Sequence, residues 1–552
     1  MNLQAERLIR KTLAVLIIAL IGVIVVLSWV PPVSRDALTH HLFVPKLYLK
    51  HGGIHEIPDI PFSYYPMNLD LLYMIPLYFG NDILPKLIHF SFALMTAWLV
   101  FSYLKKRVKF HQALLGAFFF LSIPIIVKLS ITVYVDLGLI FFTTASLLLV
   151  LKWLETSKTR YLVFSGMMCG LSLGTKYNGL ISLLLITFFI PVAYIRYPRK
   201  IPASQVKVLG YSGLFLLVSL ILFSPWMIRN YILTQNPVYP LFDHWFHPTA
   251  PAFSHSDDST QETESINVLE PFALRKVVYN ENWWQLITIP VRIFFEGKDD
   301  KPKYFDGKLN PFLLIFPLFL FIGFKNQDPP IQFEIKFFAV FSILLLLLVF
   351  FQSDMRIRYA GSIIPPMVML SILGLKHIED ILGRKANLRS FHSFLSLILM
   401  TVLLIPNALY LKEQFHIVDP FSYISGKVGR DDYIEKYRPE YRVIRYANQH
   451  LPKESRILFL FIGNRGYYSD RDVFFGYEWL KQELKKKASA DSLSDAVKRK
   501  GITHLLIRAD LFLGWAMEEL PPNQGTIIMD LLNNHTYLLF AFSDYWLCEI
   551  RP

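Results

Sequence analysis

Long apolar runs recur along this 552-residue chain, and no other feature limits its fold as much. A bilayer core roughly 30 Å thick is crossed by a helix of about 20 mostly apolar residues. Qualifying runs begin near residues 12, 85, 111, 134, 161, 178, 208, 311, 336, 356 and 391, giving eleven candidate spans. Backbone polar groups inside a bilayer must be paired within the segment, so such runs read as helices. Charged residues make up only 18% of the chain, against about 25% in a soluble protein. The expected fold class is an all-α polytopic membrane bundle of about 11 transmembrane helices. The runs at 161 and 178 are separated by Thr175-Lys176-Tyr177-Asn178-Gly179, where the lysine marks a turn.

The first run follows Arg7, Arg10 and Lys11, like the n-region of a signal peptide. Its apolar stretch is long, and Ser28-Trp29-Val30-Pro31-Pro32 is a poor small-residue cleavage site, so it reads as a retained anchor. Basic residues in short connections set the orientation. With the N-terminus in the cytoplasm, the inner connections hold Lys105-Lys106-Arg107 with Lys109, then Lys152, Lys158 and Arg160. They also hold Arg196, Arg199 and Lys200, then Lys325 and Lys336, then Lys376, Arg384, Lys385 and Arg389. The outer turns hold fewer: Lys128, Lys176, Arg356 and Arg358. The net charge of +13 is therefore largely a matter of cytoplasmic loops and calls for no nucleic acid. An odd number of spans puts the C-terminus outside.

This topology divides the chain into a membrane part, 1–411, with outer loops at 31–84 and 229–310, and a soluble tail, 412–552. The tail has a strand-like run at Arg456–Phe461, others at Thr503–Ile507 and Tyr537–Phe540, and helical stretches at Tyr441–His450 and Trp479–Lys500. Strands separated by helices predict an extracytoplasmic α/β domain. Cys169 lies in a span and Cys548 near the terminus, which gives no disulfide framework.

The polar oddities gather on the outer face. Asp36 and His40 follow the first span and share one face if the segment after Pro32 is helical. Asp136 sits at the outer end of the run beginning at 134, and Lys176, Arg229 and Arg358 sit at outer ends of others. Ionisable groups at such depth are costly unless they face a cavity or a partner. Cations there would hold a phosphate, and a carboxylate would take a proton from an attacking hydroxyl. Each residue also has a structural reading. Lys128, Lys176 and Arg356 could snorkel to headgroups. Asp36 could cap the helix beginning at Ala37, Asp136 could pair with a neighbouring cation, and His40 could be a hydrogen-bonded structural histidine. His40, His41, His51 and His55 form no tight ligand pattern, so a divalent metal is the less favoured reading and no cofactor is assigned. Trp226, Trp283 and Trp284 read as interfacial anchors.

Several short motifs, in this order, resemble one family. They are Asp36-Ala37-Leu38-Thr39-His40-His41-Leu42 with Pro45-Lys46-Leu47-Tyr48, then Lys176-Tyr177-Asn178-Gly179. Next come Pro225-Trp226-Met227-Ile228-Arg229-Asn230-Tyr231, Asn236-Pro237-Val238-Tyr239-Pro240 and Arg358-Tyr359. The chain resembles the integral-membrane glycosyltransferases that use polyprenyl-phosphate sugars, the GT-C superfamily with its protein O-mannosyltransferase and aminoarabinose transferase branches. The resemblance implies a monosaccharide carried from a polyprenyl-phosphate donor to an envelope lipid, glycan or protein. It places this on the outer face of a bacterial cytoplasmic (inner) membrane. It implies Asp36 as catalytic base, Asp136 as the second acid, and Arg229 and Arg358 at the donor phosphate. His40 and Lys176 join these as expected substrate contacts. The chain departs from the family in two places. Tyr64-Tyr65-Pro66 lacks the lysine of the aminoarabinose branch, and Ala37 stands where many relatives carry a second acid.

A lipid phosphate leaves as a stable anion, so one base suffices and direct displacement would invert the anomeric carbon. The competing classes are a lipid-linked polysaccharide ligase or polymerase, a transporter or flippase, and a non-catalytic scaffold. A transporter would show inverted repeats and midplane polar residues, whereas here the polar residues crowd one face.

Overall fold

The computed structural model describes residues 3–198, 205–248, 271–349, 355–383 and 389–551, with the side chains of 382–401 outside the described set. The polar run Ser254–Glu264 within the second outer loop lies outside the described residues. Among the described residues, helices long and apolar enough to cross a membrane are Glu6–Ser28, Leu84–Leu104, Asp136–Thr156, Gly179–Arg196, Lys207–Thr234, Pro329–Val349 and Ile357–Ile381. Phe110–Ser122 and Pro124–Ser130 make an eighth if taken together across their 63° bend. Pro124 has no N–H to donate and forces Ile123 into an extended backbone (φ −59°, ψ 132°), which breaks the helix there.

Among the described residues, the expected count of about 11 spans is thus corrected to seven or eight. Hydropathy reports apolar residues but not whether the helix continues through them. The run at 161 yields Thr159–Leu173, only 15 residues long. The run at 311 yields the ten-residue pair of turns Phe312–Phe321, tightened to 3₁₀ geometry after Leu318. The run at 391 falls in helix Arg389–Val418, whose first-half side chains lie outside the described set. The odd-number argument for an outer C-terminus loses its footing with this recount. Ile357–Ile381 sits at the centre with most of its residues buried, while Lys207–Thr234 is mostly uncovered and keeps a wide apolar face for lipid.

The C-terminal part contains a five-stranded mixed sheet: β1 (Arg456–Leu460), β2 (Asp472–Phe475), β3 (His504–Arg508), β4 (Thr536–Phe542) and β5 (Tyr545–Ile550). Their order is β2-β1-β3-β5-β4, with β1 parallel to β2 and β3, and β5 antiparallel to β3 and β4. The expected helix Trp479–Lys500 is two helices, Tyr477–Lys486 and Ala490–Arg499. The Ser489 side chain accepts from the Ser492 N–H and starts the second. Cys169 and Cys548 are free and buried.

Candidate active site

The chain leaves the first span through Pro31-Pro32 and turns into a short π-helix, Ala37–His41. A π-turn carries one more residue than an α-turn and is common at functional sites. Asp36 stands at its start with helical dihedrals and makes no side-chain capping bond. Its carboxylate points instead at Arg358, whose Nη1 donates to Oδ2 at 2.6 Å. Arg358 comes from the 3₁₀ turn Ile357–Ile363, which leads into the central span.

A second ion pair lies beside the first. Lys176 Nζ donates to Asp136 Oδ1 at 2.7 Å. Asp136 is the first residue of its helix, where the helix dipole favours an anion, and is fully buried. Lys176 sits in the turn between Thr159–Leu173 and Gly179–Arg196, over the Tyr359 ring at 5.0 Å. Arg358 lies over Tyr134 at 4.9 Å and over Tyr359 at 5.3 Å, so the Tyr359 ring, shared with Lys176, joins the two pairs. Asp136 Oδ2 and Arg358 Nε are buried and have no hydrogen-bond partner among the described residues. Burying such groups unpaired costs about 1–3 kcal/mol or more each. That cost points to a role beyond packing.

His40 stacks on Phe62 at 4.4 Å and its Nδ1 meets Thr39 Oγ1 at 2.9 Å. His41 shares a 2.7 Å hydrogen bond with Asp70, both side chains being buried. Burial would raise the Asp36 carboxyl, but Arg358, with help from His40 and His41, outweighs it and holds the group well below the usual carboxylate range. Burial and the neighbouring His41 push His40 well down, so its ring is neutral at pH 7. Burial also lowers the Lys176 ammonium, against the pull of Asp136.

The structure therefore brings Asp36, His40, Asp136, Lys176 and Arg358 into one cluster. Arg229 stands apart from it. It donates to Tyr48 Oη at 3.3 Å and lies 5.8 Å over the Tyr64 ring. The reading of Lys128 as a snorkelling residue gives way to an ion cluster, with Asp299 at 3.5 Å and Asp300 and Asp306 at 3.3 Å. Arg356 joins the same Asp306 at 3.7 Å. Trp226 is not an interfacial anchor, because it is buried and its Nε1 donates to Asn68 Oδ1 at 2.8 Å. Trp283 and Trp284 are exposed and stacked on each other. Sequence reasoning passed over Asp70, although an acid inside Asn68-Leu69-Asp70-Leu71-Leu72 must find a buried partner.

Ligand atoms of Asp36, His40 and His41 lie within 4.8 Å of one another, the spacing of a metal site. The donor set fits a cation poorly. The histidines are bonded through Nδ1, His41 to Asp70 and His40 to Thr39, which leaves each Nε2 available, but the Asp36 carboxylate is committed to Arg358. A metal ion there would also stand beside the Arg358 guanidinium, and two cations so close in a buried site repel strongly.

Residues 79–228 match the profile of the dolichyl-phosphate-mannose-protein mannosyltransferase family. Comparison by sequence with curated proteins gives no match. By structure, the chain is similar to apo ArnT from Cupriavidus metallidurans at a TM-score of 0.57 and 11% identity, covering 98% of both chains. For that protein bound to undecaprenyl phosphate the TM-score is 0.55 at 13% identity, again covering 98% of both chains. The Archaeoglobus fulgidus oligosaccharyltransferase in complex with zinc and sulfate gives 0.52 at 12% identity, over 92% of this chain and 70% of that one. The chain has the GT-C fold.

Proposed function

We propose that this chain is a membrane glycosyltransferase that moves a monosaccharide, a hexose or a pentose, from a polyprenyl-phosphate donor to an envelope lipid, glycan or protein. The observation that carries the reading is the joining of two ion pairs, Asp36–Arg358 and Asp136–Lys176, through the Tyr359 ring. A fold shared with a protein solved bound to undecaprenyl phosphate supports the donor class.

In this reading Arg358 and Lys176 receive the donor phosphate. Arg358 offers a planar fork with an unpartnered Nε, and Lys176 adds a point charge that Asp136 holds in place. Arg229, with Tyr48, is a further phosphate contact on the route from the lipid side. Asp36 is ionised at neutral pH and is a weak base in the ground state. It takes the acceptor's proton late, when bonding to the sugar carbon has made that hydroxyl acidic. The acceptor oxygen bonds to the anomeric carbon as the bond to the phosphate oxygen breaks, and the electron pair leaves on the lipid phosphate. No general acid is needed, and the product is inverted. His40, neutral and stacked on Phe62, flanks the sugar.

The reading includes a bacterial cytoplasmic membrane with the N-terminus inside, drawn from the basic residues, and the tail outside, on the side of the Asp36 segment to which it is hydrogen-bonded. It also includes the division into a catalytic membrane part at 1–411 with outer loops 31–84 and 229–310, and a soluble part at 412–552.

The test is transfer in proteoliposomes, using undecaprenyl-phosphate sugars and acceptors extracted from the envelope. The wild-type chain transfers one of these sugars, and Asp36→Asn, folded and inserted, does not. Wild-type rates in Asp36→Asn would remove Asp36 from the base role. A product with the donor's anomeric configuration would remove direct displacement. Transfer only from a lipid-linked oligosaccharide would move the chain to the ligase class.

A further inference from the structure

The C-terminal part is hydrogen-bonded to the backbone on both sides of Asp36. Tyr468 Oη donates to the Pro32 carbonyl at 2.7 Å, and Arg438 Nε donates to the Val33 carbonyl at 2.7 Å. The Tyr467 N–H donates to the Leu38 carbonyl at 3.2 Å. The membrane part reaches back in turn. Lys46, on the helix Phe43–His51 that follows the π-turn, donates to the Tyr467 and Ser469 carbonyls at 2.8 Å each. Gly466 lies flat against Phe43, so close that a Cβ would fall 2.5 Å from the ring.

These contacts fall on a segment that needs outside support. Residues 31–34 are outside any helix; the Ser34 carbonyl accepts from the Leu38 N–H of the turn itself, while those of Pro32 and Val33 take donors from the tail. Asp36 makes no capping bond of its own, so its direction is set by the Arg358 ion pair and by the backbone that carries it. Tyr468 and Arg438 hold that backbone just before Asp36, at Pro32 and Val33, and Tyr467 holds it just after, at Leu38.

We infer that the loop 465–470 and Arg438 are positioning elements for the base: the tail clamps the π-turn and thereby aims Asp36. This rests on the reading of Asp36 as the base, and it gives the C-terminal part a role in the chemistry itself. A misplacement near 1 Å at a reacting group can cost on the order of 100-fold in rate.

The test uses the full chain with Tyr468→Phe and Arg438→Gln. Tyr468→Phe removes only the hydroxyl and keeps the ring's edge contact with Tyr441, so the fold is retained. Each variant is expected to lose about 10-fold or more in kcat with the donor KM held within about twofold. A merely structural role would lower the yield of folded protein and leave kcat per folded molecule unchanged. Hydrogen–deuterium exchange supplies a readout independent of activity. Amides in 33–42 and at Tyr467 should exchange faster in both variants, with the spans unchanged. Unchanged exchange in both variants overturns the clamp, and so does faster exchange with full kcat. If the wild-type chain transfers no sugar at all, the functional reading fails, and the exchange arm alone supports or overturns the clamp.

Discussion

Asp36 and Arg358 stand 322 residues apart in the chain and meet at 2.6 Å. Each is largely shielded from solvent, with side-chain exposures of 17% and 9%. Removing one member of such a pair leaves a buried charge and costs about 3–5 kcal/mol. Arg358→Gln should therefore lower the thermal midpoint. It should also cut transfer by about 100-fold or more, the scale for losing one donor to developing charge. Arg358→Lys keeps the charge without the planar fork and should recover part of the stability but little of the rate. Initial rates and thermal unfolding of the two variants check this. Equal rates in both would mean that the fork geometry is idle.

The same pair fixes a pH dependence. The Asp36 carboxyl is held below its unfolded value of about 3.9. It therefore contributes stability that is present above that value and is lost as pH falls through the lower folded value. The acid limb of kcat/KM should lie below the ordinary carboxylate range. In Arg358→Gln burial is left without its main opponent, and the limb should move up. His40, pushed well below 6.5, should add no inflection near neutrality. A pH–rate profile with a limb near 6.5 in the wild type would contradict both assignments.

Asp136 and Lys176 should couple strongly. Lys176→Met leaves the fully buried Asp136 charge without its 2.7 Å partner and should cost about 3–5 kcal/mol. Asp136→Asn keeps a hydrogen-bonding oxygen and should cost less. The double variant should be less destabilised than the sum of the two, because it buries no lone charge. Thermal or chemical unfolding of the four chains measures the coupling, and additive losses would show that the pair is not one unit.

The ion pairs explain which parts of this site could be read from sequence. Asp36, Asp136, Lys176 and Arg358 stand out because each is an ionisable group at the edge of an apolar run, and such groups must find each other. Their pairing is a property of long-range packing, so residue order alone did not distinguish a snorkelling Lys128 from one held by Asp299, Asp300 and Asp306. Arg229 shares the same sequence signature and ends up beside aromatic rings. In the tail, β1 and β3 were legible as apolar runs. β2 and β5 were not, because β2 is only four residues long and Glu549 interrupts β5, so their place is set by their neighbours. The span count failed where the apolar pattern continues past the end of a helix, as at Phe321-Ile322.

Chelation should leave the activity unchanged. Asp36, His40 and His41 are near enough to share an ion, but Arg358 occupies the carboxylate and its charge repels a cation there. Transfer measured before and after EDTA, with metal content read by mass spectrometry, decides this. Loss of transfer on chelation, restored by one divalent ion, would mean that the Asp36–Arg358 pair opens to admit a metal.

Two glycines separate close helix packing from mere flexibility. Gly374 lies in helix Ile364–Gly383, and a Cβ there would overlap the Phe316 carbonyl oxygen. That oxygen belongs to the backbone of Phe312–Leu318 and cannot rotate aside as a side chain would. Gly374→Ala must push the central span away from its neighbour, at about 1–3 kcal/mol for an overpacked core. Gly210 lies in helix Gln205–Thr234, and a Cβ added there would meet nothing within 4 Å. There alanine only removes backbone freedom from the unfolded chain and adds helix propensity, so Gly210→Ala should gain about 0.5–1 kcal/mol. Thermal unfolding in a common lipid nanodisc should therefore move in opposite directions for the two variants. The Gly374→Ala loss should also lower transfer, since the same helix is entered through the turn that carries Arg358. Similar midpoints for both variants would mean that the central span yields at Phe316 and does not hold the Arg358 turn rigidly.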